Sequence, residues 1–196
     1  MRESDLEKKA TVHKIAWGIT GGGDRLQETV NIMKELKETY ESEVDVRVYL
    51  SKAGEQVAKW YRLYESLKEN FHKLWVESGP NSPFLAGELQ LGKFEFLLIA
   101  PATSNTVAKI AAGICDTLLS NSAIMAGKAF VPVYVMPTDF SEGNTVTKLP
   151  DGKNLRLRVR KEDAENTRRL AAMDGIALLK QPENIRGLFE KHFGRP

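Results

Sequence analysis

Short apolar runs recur along the chain and are separated by longer stretches of mixed polarity. Residues 12–19, 44–50, 94–100 and 129–136 are rich in Val, Ile, Leu and Phe, which is typical of strands. The run at 94–100 is apolar almost throughout, as expected for a strand buried on both faces of a parallel sheet. We therefore predict a sheet that contains these four segments.

The stretches between these runs have the periodicity of helices. Apolar side chains recur every three or four positions over 24–40 and again over 54–77, and Asp24 with Gln27 forms the pattern of a capping box. A helix rich in small residues follows residue 106. Strands that alternate with helices predict an α/β fold, namely a three-layer, doubly wound parallel sheet of the Rossmann or flavodoxin-like type.

Residues 144–160 depart from this alternation. Two short strand patterns flank a turn at 150–152, which predicts a β-hairpin. We expect this hairpin to form a C-terminal arm or flap of a single domain that spans residues 1–196. The chain then closes with a helix over 163–173, a strand over 176–179 and a helix over 182–193.

Composition narrows the range of functions. The chain has 196 residues, and its net charge of +2 argues against nucleic-acid binding driven by electrostatics. A single cysteine excludes an internal disulfide and any zinc or iron–sulfur site held by several cysteines of one chain, and we expect no metal. No signal peptide and no window of ~18 apolar residues is visible, so we expect a cytoplasmic protein outside the membrane.

The end of the first predicted strand carries a glycine-rich loop. It consists of Gly18, Thr20, Gly21, Gly22 and Gly23 around Ile19. Glycines before a helix N-terminus suit a phosphate group, although a simple tight turn has the same composition. The third glycine of a dinucleotide fingerprint falls on Leu26, and no Walker Lys follows. The loop therefore favours a mononucleotide over NAD or ATP.

Two further strand ends carry polar residues. Ser51 and Lys52 follow the second strand, where they either supply a hydroxyl and a charge to a ligand or form an ordinary polar loop. The third strand end is small and hydroxylated: Pro101, Ala102, Thr103, Ser104, Asn105 and Thr106, with Lys109 one turn into the next helix. The four polar side chains from Thr103 to Thr106 either cap that helix or hold a ligand, and a simple cap needs only one of them.

These three segments together resemble a known superfamily. APATSNTVAKIAAGICDTLLSN resembles the PASANT-type segment of the flavoproteins that include the homo-oligomeric flavin-containing cysteine decarboxylases. GITGGG resembles their G-x-[ST]-G loop, and LSKAG resembles their second-strand hydroxyl segment, in the same order over residues 18–121. VRKEDAENTRRLAAMDGIALL and WGITGGGD resemble the archaeoflavoprotein and dihydromethanopterin reductase branch more closely.

The resemblance implies non-covalently bound FMN. It implies that the loop from Thr20 to Gly23, with Ser51, lies near the phosphate and ribityl chain. It further implies that Ser104, Asn105 and Thr106 lie near the phosphate or the isoalloxazine ring, and that Thr138 and Asp139 approach the ring. The superfamily often builds this site between subunits, so we expect a homo-oligomer, a trimer or larger. The hairpin and Trp60, Tyr61 and Tyr64 either contact the cofactor or serve packing alone.

The chain departs from the decarboxylases of this superfamily at two positions. Residues 84–93 contain no histidine, and Gly87 or Glu88 stands where the resemblance places the catalytic one. The only cysteine, Cys115, falls on the small-residue helix, where we expect a buried and inert thiol rather than a substrate clamp. Both departures disfavour decarboxylation of a cysteine. A prenyl-flavin synthase and a non-catalytic nucleotide-binding module remain as alternatives.

The remaining expectation is electron transfer through the flavin. The absence of an NAD fingerprint favours a protein donor, and the resemblance points to a ferredoxin-like iron–sulfur protein and to a downstream acceptor such as a pterin. No acid or base is assigned, and only Glu88 and Asp139 are expected as carboxylates near the ring. The basic residues of the hairpin either dock an acidic ferredoxin or keep a solvated edge strand from pairing with another chain. They are Lys153, Arg156, Arg158, Arg160 and Lys161.

Overall fold

The computed structural model describes residues 12–194. The strands are β1 (His13–Ile19), β2 (Val44–Leu50), β3 (Leu74–Val76), β4 (Phe96–Ala102), β5 (Val133–Pro137), β6 (Gly143–Lys148), β7 (Asn154–Val159) and β8 (Ile176–Leu178). The helices are α1 (Leu26–Thr39), α2 (Lys52–Trp60), α3 (Tyr64–Asn70), α4 (Leu85–Gln90), α5 (Ser104–Ala111), α6 (Leu118–Lys128), α7 (Lys161–Ala171) and α8 (Asn184–Phe193).

Six parallel strands form the central sheet, in the order β3-β2-β1-β4-β5-β8. One apolar core lies between the sheet and α1, α2, α3 and α8, and a second core lies between the sheet and α4 to α7. The predicted three-layer α/β architecture is thereby confirmed. The strand order reverses between β1 and β4, and ligands of such sheets bind beyond the carboxyl ends of the strands at this point.

The prediction of one long helix over 54–77 is wrong. The segment contains the end of α2, then α3 and the edge strand β3, and the chain turns between the helices at Arg62, which has a φ of 58°. Both helices place apolar side chains in the same core, so the periodicity continues across the break. Trp75 of β3 stacks on Tyr49 of β2, which seats the edge strand against the sheet.

Two smaller predictions also fail. The helix α1 has no capping box from Asp24, because Arg25 occupies the N-cap in the left-handed region and makes no side-chain cap. Cys115 does not lie on a helix and is only half-buried, since α5 ends at Ala111 and Gly113 (φ 72°) turns the chain into a loop before α6. The short helix α4 was not predicted.

The predicted hairpin is confirmed as β6 and β7, which form a separate antiparallel pair. Its turn contains Gly152 with a φ of 83°. Thr145 pairs with Leu157 and Thr147 with Leu155, so these four side chains share one face of the hairpin. Among residues 12–194, we find no helix long and apolar enough to cross a membrane.

Candidate functional site

Two adjoining spaces lie beyond the carboxyl ends of the central strands. One is a polar crevice of about 520 Å³, defined by the residues that follow β1, β2 and β4. The other is an apolar pocket of about 260 Å³, between the glycine loop and the hairpin. Gly21 lines both spaces, so the loop after β1 is their common wall. The structure therefore brings the three predicted strand ends together.

Two helices begin at the polar crevice. Ser51 is the N-cap of α2, and its Oγ accepts a hydrogen bond of 2.9 Å from the Gly54 N–H. Thr103 is the N-cap of α5, and its Oγ1 accepts from the Thr106 N–H. The hydroxyls of Ser51 and Thr103 thus serve as helix caps. The converging N-termini of α2 and α5 favour an anion in the crevice.

Thr20 joins the first strand end to the third. Its Oγ1 donates to the Pro101 carbonyl and accepts from the Thr103 N–H, both at 2.9 Å, and the residue is buried. Pro101 and Ala102 themselves lie within β4 rather than after it. Thr20 therefore acts as a brace between the glycine loop and the start of α5.

We expect Thr20→Val to lower the free energy of unfolding by about 2 kcal/mol, because the Thr103 N–H and the Pro101 carbonyl each lose a partner. Valine keeps the shape of threonine, so packing changes little. Urea unfolding measures the effect. The control is Thr39→Val on the exposed side of α1, which should change stability by less than about 0.5 kcal/mol. Equal losses in the two variants would show that the brace contributes nothing.

The glycines of the first loop lie against close neighbours. A Cβ on Gly21 would lie 2.8 Å from the Ala53 Cβ, and one on Gly22 would lie 2.8 Å from the Thr138 Cγ2. A Cβ on Gly23 would lie 2.5 Å from the Tyr61 hydroxyl oxygen. The loop is thus packed between α2, the end of β5 and Tyr61. Only glycine lets the backbone itself form the wall of both spaces.

Gly18 and Lys109 have other surroundings. Gly18 lies within β1, where a Cβ would come within 2.6 Å of Leu119, so its role is to admit α6 against the sheet. The Lys109 ammonium pairs with Asp116 at 2.9 Å at the edge of the crevice. Lys52, at the start of α2, forms no ion pair within the described chain and is exposed. Ser104 and Asn105 stand in the first turn of α5 and line the crevice.

Three polar residues of the crevice lining were not predicted: Glu77, Asp116 and Thr117. Glu77 Oε1 accepts from the Leu118 N–H at 2.9 Å, so this carboxylate occupies the N-terminus of α6. Thr117 is the N-cap of α6 and shares a capping box with Ser120. Glu77 was missed because its segment was assigned to a helix, whereas it directly follows β3.

The apolar pocket has a wall from α2 and a roof from the hairpin. Val57, Trp60 and Tyr61 form the wall, and Leu155 and Leu157 form the roof. The Tyr61 hydroxyl donates a 2.9 Å hydrogen bond to the Lys148 carbonyl, which links the wall to the roof. Burial, with a smaller contribution from the charge of Asp24, raises the pKa of Tyr61, so its hydroxyl stays protonated.

Thr138 and Asp139 line the same pocket. The Thr138 N–H donates to the Ala102 carbonyl, and the Asp139 carbonyl accepts from the Thr167 hydroxyl, both at 2.9 Å. Tyr64 is not among the pocket-lining residues. Its ring lies under the ammonium groups of Lys59 and Lys68.

The expectation that Glu88 lies near this site is wrong. Glu88 belongs to α4 and pairs with Arg47 and Lys93, at 3.7 and 3.6 Å, beside the sheet rather than beyond its strand ends. It lines neither the polar crevice nor the apolar pocket. Asp139 is thus the one of the two expected carboxylates that the fold brings to the site.

A doubly wound sheet with a polar crevice and an apolar pocket at its strand-order reversal defines a nucleotide-binding α/β protein. The chain belongs to the Flavoprotein family, which it matches over residues 3–185. This match confirms the resemblance drawn from the sequence.

Two relatives come from Methanocaldococcus jannaschii. An uncharacterized protein is 52% identical over 91% of this chain and 95% of its own length. A dihydromethanopterin reductase (acceptor) is 33% identical over 90% of this chain and 95% of its own length, in agreement with the branch that the sequence resembles. Among solved structures, the chain is similar to DmrB of Burkholderia xenovorans in complex with FMN, which is described as a cubic protein cage for redox transfer. The TM-score is 0.75, and the two chains are 30% identical over 95% of this chain and 96% of that one.

Proposed function

We propose that this chain binds FMN and works as a redox flavoprotein. The observation that carries the proposal is the junction at Gly21 of a polar crevice and an apolar pocket. Such a site suits a ligand with an anionic end and a flat apolar end. The Flavoprotein family and the FMN complex of the DmrB relative confirm FMN as the expected cofactor. When bound, FMN supplies the uptake and release of one or two electrons.

The residues present fit this cofactor. The first turns of α2 and α5, with Lys52, Ser104 and Asn105, bind the phosphate end in the polar crevice. Gly22, Thr138 and Asp139 face the ring in the apolar pocket. A further set of predicted contact residues shapes the site by capping, bracing or close packing: Gly18, Thr20, Gly21, Gly23, Ser51, Pro101, Ala102, Thr103, Thr106 and Lys109.

A ferredoxin-like iron–sulfur protein is the proposed electron donor, and a pterin is the proposed acceptor. The name of the dihydromethanopterin reductase relative supports the acceptor. Lys153 in the hairpin turn pairs with Asp151 at 3.0 Å. Arg160 and Lys161 belong to the start of α7 rather than to the hairpin, and they pair with Asp163 at 2.6 Å and Glu165 at 3.6 Å. Arg156 and Arg158 are exposed and form no ion pair in the described part of the chain. These two cations support docking of an acidic donor.

We also propose that the protein is a homo-oligomer of three or more chains. Phe84, Leu91 and Phe130 are exposed by 65%, 68% and 95% at the ends of α4 and α6. The helices α4 and α6 pack in the same core, and large exposed apolar side chains at their ends are typical of an interface. The cubic cage of the DmrB relative supports an assembly of several copies of this chain. The mass of the purified protein in solution, measured by light scattering, tests this proposal, and a monomer would contradict it.

The colour of the purified protein tests the proposed function. We expect a yellow protein that releases FMN on denaturation and that takes FMN up again after its removal. A colourless protein that cannot be reconstituted with FMN would contradict the proposal.

A comparison of two reductants tests the proposed electron donor. Under anaerobic conditions, reduced ferredoxin should bleach the flavin faster than NADH does. The reverse order would contradict the donor while leaving the flavoprotein intact.

A further inference from the structure

The hairpin of β6 and β7 is attached unequally at its two ends. At its base, Val159 is buried and continues into α7. At its free end, next to the turn, the Lys148 carbonyl accepts the hydrogen bond from Tyr61 across 87 positions of sequence. In the described part of the chain, the other hydrogen bonds of residues 143–159 run between the two strands or within their turn. Tyr61 therefore supplies the polar attachment of the free end.

Apolar packing alone holds this end weakly. Leu155 and Leu157 roof the apolar pocket but remain 37% and 47% exposed. A two-stranded hairpin by itself is only marginally stable in water, so its fixed position depends on its attachments. The Tyr61 ring is in turn fixed, because it packs against Gly23 and contacts Trp60 edge to face.

We propose that Tyr61 is a positioning residue that holds the free end of the hairpin over the apolar pocket and thereby limits the access of water to a ring bound there. The inference about the hairpin rests on the contacts of Tyr61, and its consequence for a bound ring rests on the proposed function. The hydroxyl donates to a backbone carbonyl, so the side chain of Lys148 is not needed for the attachment.

Limited digestion with trypsin tests the attachment without any cofactor. The hairpin offers cleavage sites after Lys148, Lys153, Arg156 and Arg158, all of them exposed. Trypsin cleaves a strand only after the strand has opened locally. Removal of one neutral hydrogen bond raises the equilibrium constant for this opening about fivefold. We expect Tyr61→Phe to be cut in the hairpin about fivefold faster than the parent protein. Cleavage elsewhere in the chain should be unchanged, which separates local release from unfolding.

Two variants serve as controls. Tyr64→Phe loses the same hydroxyl from a ring that lies under Lys59 and Lys68 and, within residues 12–194, has no hydrogen bond to the hairpin. It should be cut at the parent rate. Lys148→Ala keeps the accepting carbonyl, so cleavage after Arg156 and Arg158 should also stay at the parent rate. Equal cleavage of Tyr61→Phe and the parent, or equal acceleration in Tyr64→Phe, would overturn the inference.

Iodide quenching of flavin fluorescence tests the consequence for a bound ring. In protein loaded with FMN, the quenching constant should rise in Tyr61→Phe and stay unchanged in Tyr64→Phe. Unchanged quenching in Tyr61→Phe would overturn the role in limiting water access. Failure of the parent protein to bind FMN would contradict the proposed function, whereas the trypsin experiment would still decide whether Tyr61 holds the hairpin.

Discussion

Asn105→Asp should weaken FMN binding by about 30- to 1000-fold, while the protein stays folded. Asn105 is exposed in the first turn of α5 and lines the polar crevice where we place the phosphate. The substitution is nearly isosteric and adds one negative charge. Repulsion between a carboxylate and a phosphate a few ångströms apart costs about 2–4 kcal/mol at an effective dielectric constant between those of water and a protein surface.

The same substitution should leave stability unchanged or raise it slightly. A carboxylate in the first turn of a helix interacts favourably with the helix dipole, by about 0.3–1 kcal/mol. Fluorescence titration of the apoprotein with FMN gives the affinity, and urea unfolding of the apoprotein gives the stability. A loss of affinity without a loss of stability is therefore the expected signature, and it differs from the effect of a damaged fold.

Asn31→Asp is the matched control for this prediction. Asn31 lies on the exposed side of α1, where its Oδ1 accepts a hydrogen bond from Gln27 that an aspartate can keep. It adds the same charge away from both spaces of the site, so FMN affinity should change by less than about twofold at physiological ionic strength. Equal affinities for Asn105→Asp and Asn31→Asp would show that the phosphate does not lie at the N-terminus of α5.

The strand ends that build the site were predictable from the sequence. A strand buried on both faces of a parallel sheet must be apolar along its length, so polar residues mark its end clearly. This rule located the loops after Ile19, Leu50 and β4. It failed for β3, a three-residue edge strand whose side chains are only half-buried. Glu77 was therefore missed as well, because it follows β3. Periodicity alone assigned α2, α3 and β3 to one helix, since both helices face the same core.

The roles of the hydroxyl residues were less predictable than their positions. Thr20, Ser51 and Thr103 have the residue types of ligand contacts, yet their hydroxyls brace or cap the protein itself. A hydroxyl that binds a backbone group and one that binds a phosphate look alike in sequence. The contact between Tyr61 and the Lys148 carbonyl was also hidden, because it depends on how the hairpin folds back over α2.

Gly54→Ala should lower the free energy of unfolding by about 3 kcal/mol, although alanine is normally the better helix former. Gly54 lies in the first turn of α2, and an added Cβ would come within 2.3 Å of the Ile19 carbonyl oxygen. The Ser51 N–H donates to that same carbonyl, so neither backbone segment moves without loss. Relief of the clash must push α2 away from the end of β1, which widens the polar crevice and should weaken FMN binding as well.

Gly187→Ala separates this clash from the general effect of alanine in a helix. Gly187 lies within α8, and nothing lies within 4 Å of a Cβ placed there. The free energy of unfolding of Gly187→Ala should therefore rise by about 0.5–1 kcal/mol, because alanine has a higher helix propensity than glycine. Urea unfolding of both variants should thus give changes of opposite sign. A stabilised Gly54→Ala would mean that α2 does not pack onto the end of β1, and the crevice between them would then lose its physical basis.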